Sequence, residues 1–286
     1  MAIASIKDVL GKAMQADYGV ASFNVHNLEF IQGVMRAAEE QASPVILAIA
    51  PVSIEFAGLE ELTVLAHVRA ARSQIPVVIH LDHGRDIETV RRGIALGLSS
   101  VMYDGSHLPL EENIRRTREV VEVAHRAGIS VEGEIGIVGR FEDLSSGAVS
   151  PDQLRRLFTE PEDAKRFVAE TGVDALAVAV GTVHRMPLQE ARIDFQRLRE
   201  IHEVVDVPLV FHGCTGLKNE DYRAAYALGV KKFNIGTRLL KEFQRGLLRE
   251  IERGGGTLLT CLKAGAESVY KAATERIVVL NSAGRA

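Results

Sequence analysis

Short apolar runs alternate with amphipathic segments along the whole chain of 286 residues. Continuous apolar runs are typical of strands covered on both faces, and apolar positions with helical period are typical of helices packed on a core. The pattern predicts strands at 20–25, 44–50, 76–82, 99–104, 129–135, 174–180, 207–212 and 231–235. It predicts helices at 29–41, 59–73, 87–96, 110–127, 161–171, 195–204, 219–228 and 239–254.

This alternation predicts a parallel α/β fold. Eight strand-helix units that close on themselves form a (β/α)8 TIM barrel, which we expect as a single domain over residues 1–286. An open doubly wound sheet shows the same alternation, but its dinucleotide-binding form carries glycines after the first strand, where this chain has Asn24-Val25-His26-Asn27. An additional C-terminal helix at 258–274 is expected outside the barrel or on a neighbouring subunit.

Composition narrows the choice of partner. Hydrophobic residues make up 47% of the chain, and the net charge of −4 comes from interspersed charges of both signs. We therefore expect neither a nucleic acid nor a membrane as partner, but a small molecule. The first residues carry Lys7, Asp8 and Lys12, which argues against a secretory signal, and the two cysteines are too few for a disulfide framework. These features favour the cytoplasm.

Polar side chains gather at the carboxyl ends of the predicted strands, where barrel enzymes place their chemistry. They are Asp82, His83, Asp104, Glu134, His184, His212 and Asn234. Each alone has an ordinary structural interpretation as a cap, a turn residue or a core histidine. Together, His83, His184 and His212 would converge at the barrel mouth, and three imidazoles with an open position are typical of catalytic zinc. His80 shares strand parity with Asp82, so we expect it inside the barrel rather than as a ligand.

Glycine turns follow the last two predicted strands. The first is Gly213-Cys214-Thr215-Gly216 and the second is Asn234-Ile235-Gly236-Thr237. Backbone N–H groups and hydroxyls in such turns are where barrels commonly bind phosphate. We therefore expect a phosphate site formed by Gly213, Cys214, Thr215, Asn234, Gly236 and Thr237.

Several stretches together resemble the class II, metal-dependent ketose-bisphosphate aldolases, the family of fructose- and tagatose-bisphosphate aldolase. They are residues 97–106, 111–113, 131–136, 181–184 and 211–213, and the resemblance extends from Phe23-Asn24-Val25 to Ser282-Ala283-Gly284-Arg285. It implies a zinc ion on His83, His184 and His212, with Asp104 and Glu134 near a second or alternative metal position. It implies Asp82 as the acid/base at a substrate hydroxyl, Glu142 as the group that exchanges the donor carbon proton, and Asn24 in substrate binding.

The implied reaction is reversible cleavage of a ketose 1-phosphate or ketose 1,6-bisphosphate into dihydroxyacetone phosphate and an aldehyde. The resemblance also implies a mobile lid at 136–150, a monovalent cation near the phosphate site, and a homodimer or homotetramer. Three alternatives stay open: an aldolase for a ketose phosphate with a different distal group, a metal-dependent barrel hydrolase or isomerase, and an inactive relative that binds sugar phosphates.

The chain departs from the family pattern around the substrate. Arg185 stands where a glycine is usual, Arg238 replaces an acid, Arg140 replaces a glycine of the lid, and Ala50 stands where a serine or threonine is typical. We hypothesise that Arg185 or Arg238 adds positive charge near a substrate anion, as guanidinium groups suit oxyanions.

Overall fold

Eight parallel strands close into a barrel, in a computed structural model that describes residues 3–146, 150–186, 191–254 and 256–286. In order around the barrel they are β1 (Val20–Asn24), β2 (Val45–Ile49), β3 (Val77–Gly84), β4 (Ser100–Tyr103), β5 (Ser130–Ile135), β7 (Ala175–Val178), β9 (Leu209–Phe211) and β10 (Val230–Ile235). Two further short strands, β6 (Gly139–Arg140) and β8 (Val183–His184), pair with each other beyond the barrel. The predicted TIM barrel is confirmed.

Helices follow the strands close to where the pattern predicted them. The α-helices of the described residues are α1 (Ile6–Met14), α2 (Leu28–Glu40), α3 (Pro51–Ala57), α4 (Leu59–Ala70), α5 (Ile87–Ala95), α6 (Leu110–Arg126), α7 (Phe141–Ser145), α8 (Pro151–Arg155), α9 (Pro161–Thr171), α10 (Phe195–His202), α11 (Asn219–Ala227), α12 (Thr237–Glu252) and α13 (Leu258–Val279). Side chains of Asn27, Asp86 and Asp194 accept the first free amides of α2, α5 and α10. Such caps fix where these helices begin.

An apolar layer fills the amino-terminal end of the barrel. Ile46, Val78 and Val210 project inward there from β2, β3 and β9. Helix α1, which the apolar pattern did not predict, covers this end with buried side chains that include Ile6 and Leu10. The barrel is therefore closed at its base by apolar side chains.

Charged side chains form the next inward layer. Because side chains alternate along a strand, the residues two positions beyond the apolar layer also point inward. His80 on β3, Glu132 on β5 and Lys232 on β10 occupy this layer, and each has no exposed surface. One further step along the same strands leads to Asp82, Glu134 and Asn234 at the mouth.

The C-terminal helix packs on its own chain. Glycines allow close approach: a Cβ on Gly33 of α2 would lie 2.7 Å from the carbonyl oxygen of Ala266, and one on Gly246 of α12 would lie 2.5 Å from that of Ala264. Helix α13 therefore lies against α2 and α12. No helix within the described ranges is both long and apolar enough to span a membrane.

Candidate metal centre and active site

His83 owes its orientation to an irregularity in β3. The register between β3 and β4 shifts between Leu81 and Gly84, and His83 has a φ of 49°, in the left-handed region. A bulge of this kind re-aims a side chain next to an active site, and the strained backbone is typical of functional positions. The bulge turns the imidazole of His83 toward the barrel mouth.

The three predicted histidines come together at this mouth. Ring centroids lie 4.4 Å apart for His83 and His212, 5.3 Å for His83 and His184, and 6.1 Å for His184 and His212. The candidate ligand atoms of Asp82, His83 and His212 lie within 4.8 Å of one another. Side chains distant in sequence therefore surround one point, as expected for ligands of a single cation.

His184 does not end the sixth barrel strand, as the apolar pattern suggested, but lies on β8 beyond it. Strand β8 passes over Gly213, which has a φ of 67°. A Cβ on Gly213 would lie 2.7 Å from the carbonyl carbon of Val183 and 2.9 Å from the amide nitrogen of His184. Only glycine fits here without displacing the backbone that carries the third imidazole.

A buried ion pair fixes the ring of His212. Its Nε2 lies 2.9 Å from Oε1 of Glu132, and Nζ of Lys232 lies 2.8 Å from Oε2 of the same carboxylate. Because Glu132 accepts the Nε2 proton, Nδ1 keeps its lone pair. This lone pair accepts from Nδ2 of Asn234 at 3.1 Å, and Oδ1 of Asp82 lies 3.9 Å from Nδ1. Carboxylates that hold the far nitrogen of a ligand histidine in this way are characteristic of metal sites. Neither Glu132 nor Lys232 was expected at the site from the sequence.

Two further carboxylates surround His83. Asp104 Oδ2 lies 2.9 Å from Nδ1 of His83, and Glu134 Oε2 lies 3.7 Å from the same nitrogen. The buried Oε2 of Glu134 has no hydrogen-bond partner among the described residues. Burial, with the carboxylate of Asp104 nearby, raises the pKa of Glu134 well above its ordinary value. His83, Asp104 and Glu134 thus form a second group with metal-ligand spacing.

The three histidines differ in the direction in which their surroundings shift the pKa. Burial lowers the pKa of His184 to about 3, and the rings of His83 and His212 add to the effect. Burial also lowers the pKa of His212. For His83, burial is outweighed by Asp82 and by the hydrogen bond to Asp104, and the pKa rises to about 9. Acidic groups therefore hold one positive charge at the centre of the site, and an incoming cation would replace that proton.

Asp82 is held rigidly beside the imidazoles. Its Oδ2 accepts from Nδ2 of Asn24 at 2.7 Å, and its Oδ1 accepts from Nδ2 of Asn234 at 2.8 Å. Burial alone would raise its pKa, but the positive charges of His83 and Lys232 lower it below the ordinary range. Asn24 and Asn234, expected to bind substrate or phosphate, here orient an ionised carboxylate.

The two glycine turns lie side by side at the mouth. Thr215 Oγ1 accepts from the backbone N–H of Arg238 at 3.3 Å, and a Cβ on Gly236 would lie 2.6 Å from Oδ1 of Asn24. The thiol of Cys214 points into the core, donates to the carbonyl oxygen of Phe211, and has its pKa raised by burial. Cys214 can therefore face a ligand only through its backbone.

Glu142 and Arg185 face each other at the rim. Glu142 lies on α7 and Arg185 follows β8, and a distance of 3.6 Å separates Oε1 of Glu142 from Nη1 of Arg185. The left-handed φ of 58° at Arg185 explains why a glycine would suit this position. Residues 147–149 of the expected lid lie outside the described residues. The guanidinium of Arg238 lies against Glu275 of α13, outside the barrel.

These residues fit a divalent cation. Imidazole nitrogens bind zinc at about 2 Å, and the rings of His83, His184 and His212 lie next to one another at the mouth. The unpartnered oxygen of Glu134 is a group that a cation would satisfy. The fold and this donor set define a (β/α)8 barrel with a candidate metal site at the carboxyl ends of its strands.

Comparison with known proteins identifies the family. Residues 4–285 match the family described as fructose-bisphosphate aldolase class-II. The YdjI aldolase from Escherichia coli K12 is 32% identical, with 99% of each chain covered and a TM-score of 0.87. A Coccidioides immitis protein assigned as a fructose-1,6-biphosphate aldolase is 30% identical over 98% of this chain and 97% of that one, with a TM-score of 0.87. The fructose-bisphosphate aldolase from Campylobacter jejuni is 22% identical over 99% and 97%, with a TM-score of 0.84, which supports the fold.

The chain belongs to the class-II fructose-bisphosphate aldolase family. It is a carbon-carbon lyase, and its substrate is a small sugar phosphate.

Proposed function

We propose that the protein catalyses zinc-dependent, reversible aldol cleavage of a ketose 1-phosphate or ketose 1,6-bisphosphate to dihydroxyacetone phosphate and an aldehyde. The observation that carries the proposal is the convergence of His83, His184 and His212 beside the ionised Asp82. We propose His83, His184 and His212, whose rings are neighbours, as the zinc ligands. We propose Asp104 and Glu134, which group with His83, as the second or alternative metal position.

The zinc ion, when bound, supplies Lewis-acid stabilisation of the negative charge that develops on the donor half of the substrate. Asp82 takes the proton from the carbon-4 hydroxyl as the bond between carbons 3 and 4 breaks. Its carboxylate is suited to this role because two asparagine amides hold it in place while leaving it charged. In the condensation direction Asp82 returns the proton to the new hydroxyl.

Glu142 protonates the donor carbon after cleavage and removes that proton before condensation. Its side chain is 54% exposed at the rim, so its carboxylate is accessible to solvent and to a substrate seated at the mouth. The pairing of β6 with β8 keeps the start of its helix beside His184. The proposal predicts that Glu142→Gln abolishes exchange of the donor carbon proton with solvent but leaves the metal in place.

The donor phosphate binds at the turns that contain Gly213, Thr215, Gly236 and Thr237. The start of α12 supports this placement, because that helix has no acidic residue in its first turn and its N-cap residue, Gly236, has no capping side chain. We also propose a monovalent cation beside this phosphate. Aldolase activity should then be higher in a potassium salt than in the salt of a bulky cation.

Arg185 binds an anionic group on the aldehyde half of the substrate. Its guanidinium is 64% exposed at the rim, and its nearest carboxylate is that of Glu142. Arg185→Gly should therefore raise KM for phosphorylated or carboxylated aldehydes by about tenfold and leave KM for neutral aldehydes unchanged. Arg185→Asn is the matched control, since asparagine also tolerates a left-handed φ. An equal change for charged and neutral aldehydes would contradict this role.

The decisive experiment incubates the zinc-loaded protein with dihydroxyacetone phosphate and a panel of aldehydes, phosphorylated and not. Formation of ketose phosphates by the wild type, with loss in Asp82→Asn, supports the proposal. Release of inorganic phosphate or isomerisation of a sugar without carbon-carbon bond formation would favour the hydrolase or isomerase. Binding without turnover at full zinc occupancy would favour the inactive relative.

We further propose that residues 1–286 act as one domain, in the cytoplasm, within a homodimer or homotetramer. Exposed apolar side chains on two neighbouring helices support association: Phe56 on α3 is 72% exposed and Val64 on α4 is 58% exposed. Light scattering on the purified protein measures the subunit number, and a monomer at all concentrations would refute this part.

A further inference from the structure

A second concentration of positive charge lies outside the barrel mouth. A surface cleft of about 650 Å³ separates the start of α12 from the last turns of α13. Arg238, Arg276, Glu275, Asn219 and Thr274 line it, together with two valines of α13. The cleft is large enough for a phosphate ester or a small carboxylic acid.

Arg276 is buried far beyond what is usual for a charged side chain. It is 4% exposed, and Nη1 donates to the side-chain oxygen of Asn219 at 3.0 Å. Its carboxylate neighbour, Glu275, is 3.9 Å from Nη2, beyond hydrogen-bond distance. Nε has no partner among the described residues. Buried guanidinium groups with unused donors call for an ion or ordered water to satisfy them.

The charges in the cleft do not balance. Glu275 Oε2 is hydrogen-bonded to Nη2 of Arg238, so one carboxylate serves two guanidinium groups. Nε of Arg238 is also buried without a partner in the described part of the chain. Glu275 itself is 57% exposed, and exposed ion pairs contribute little to stability, so an incoming anion can displace it.

We propose that this cleft binds an oxyanion, a phosphate ester or a carboxylate, between the guanidinium groups of Arg238 and Arg276. Thr274 lines the same wall, and its hydroxyl donates to the carbonyl oxygen of Tyr270 at 2.9 Å, so the two arginines are the donors available to the anion. The site is separate from the proposed donor phosphate turn but connected to it, because the backbone N–H of Arg238 donates to Thr215. By linkage, an anion bound in the cleft and a phosphate bound at that turn change each other's affinity by the same factor.

The test is isothermal titration calorimetry of the intact protein with inorganic phosphate and, separately, with acetate. Glu275→Gln removes the competing carboxylate and should tighten binding by about fivefold, as expected for one partly exposed charge. Arg238→Met should weaken binding by about tenfold or more, as expected when a charged donor is removed. Thr215→Val is the matched control at the donor turn and should leave this binding event in place.

A crystal soaked in selenate gives an independent location. A peak between Arg238 and Arg276 supports the site, and a peak confined to the Thr215 turn overturns it. The proposal is also wrong if Glu275→Gln and Arg238→Met both bind phosphate as the wild type does. Because none of these measurements uses aldol turnover, failure here is distinguishable from failure of the proposed reaction.

Discussion

The buried pair of Glu132 and Lys232 offers the sharpest test of how the barrel interior supports the metal centre. Both side chains are fully buried, and the carboxylate bridges Nζ of Lys232 and Nε2 of His212. Removal of one partner leaves the other charge unpaired in the core. We expect Lys232→Met or Glu132→Gln alone to lower the free energy of unfolding by about 3 to 5 kcal/mol.

The double variant Glu132→Gln/Lys232→Met separates stability from metal binding. Glutamine still accepts the Nε2 proton of His212, and methionine fills the volume of the lysine stem. The double variant should therefore lie within about 2 kcal/mol of the wild type, because no buried charge is left unpaired. Its zinc affinity should still fall by about 10- to 100-fold, because His212 no longer has a carboxylate behind it.

Urea unfolding followed by circular dichroism measures stability, and competition with a chromophoric chelator measures zinc affinity. Lys231→Met is the control, because Lys231 Nζ donates to the carbonyl oxygen of Tyr226 at 2.8 Å and belongs to a different contact. Its zinc affinity should equal that of the wild type. The reasoning is refuted if the single losses simply add in the double variant, or if the double variant binds zinc as tightly as the wild type.

Three further predictions concern the mouth and its surroundings. Asp82→Asn should lower kcat by about 10²- to 10⁴-fold with zinc content unchanged, as measured by elemental analysis, and a loss of zinc would instead make Asp82 a ligand. Gly213→Ala should lower the free energy of unfolding by about 1 to 3 kcal/mol and weaken zinc binding, because the added Cβ meets the backbone at Val183. An unchanged zinc affinity would contradict the close packing. Burial lowers the pKa of His26 to about 4. The contribution of its neutral ring to the free energy of unfolding is therefore present above about pH 6.5 and is lost as the pH falls toward 4. In urea titrations, the free energy of unfolding of the wild type should fall by about 2 to 3 kcal/mol more between pH 7 and pH 4.5 than that of His26→Asn. Equal losses in the two proteins would exclude burial of a neutral ring.

Much of the fold could be predicted because each element had a local signal. Strands were apolar runs, and helices carried caps such as Asn27, Asp86 and Asp194. Helix α1 was missed although its buried side chains at 6, 9, 10 and 13 recur with helical period and Ser5 caps its start, so the local signal was present. Helix α3 was missed because side chains such as Val52 and Phe56 are exposed, so its sequence has no amphipathic pattern.

The convergence of the three histidines could be expected from their positions after predicted strands. The excursion that places His184 on β8 could not, since it depends on Gly181, at a φ of 114°, and on the packing against Gly213. Glu132 and Lys232 pair across 100 positions, a contact that no local pattern encodes. Strand parity was the available signal: the argument that placed His80 inside the barrel applies equally to Glu132 and Lys232.

The two-stranded ribbon of β6 and β8 ties together groups that would otherwise move independently. Arg140 is in register with His184, and the helix that bears Glu142 begins at the next residue. Because β6 and β8 are hydrogen-bonded to each other, a movement of the segment that carries Glu142 would also move His184 or would break the pairing of the two strands. In the proposed mechanism, movement of Glu142 toward the substrate is therefore coupled to the position of His184, one of the proposed zinc ligands.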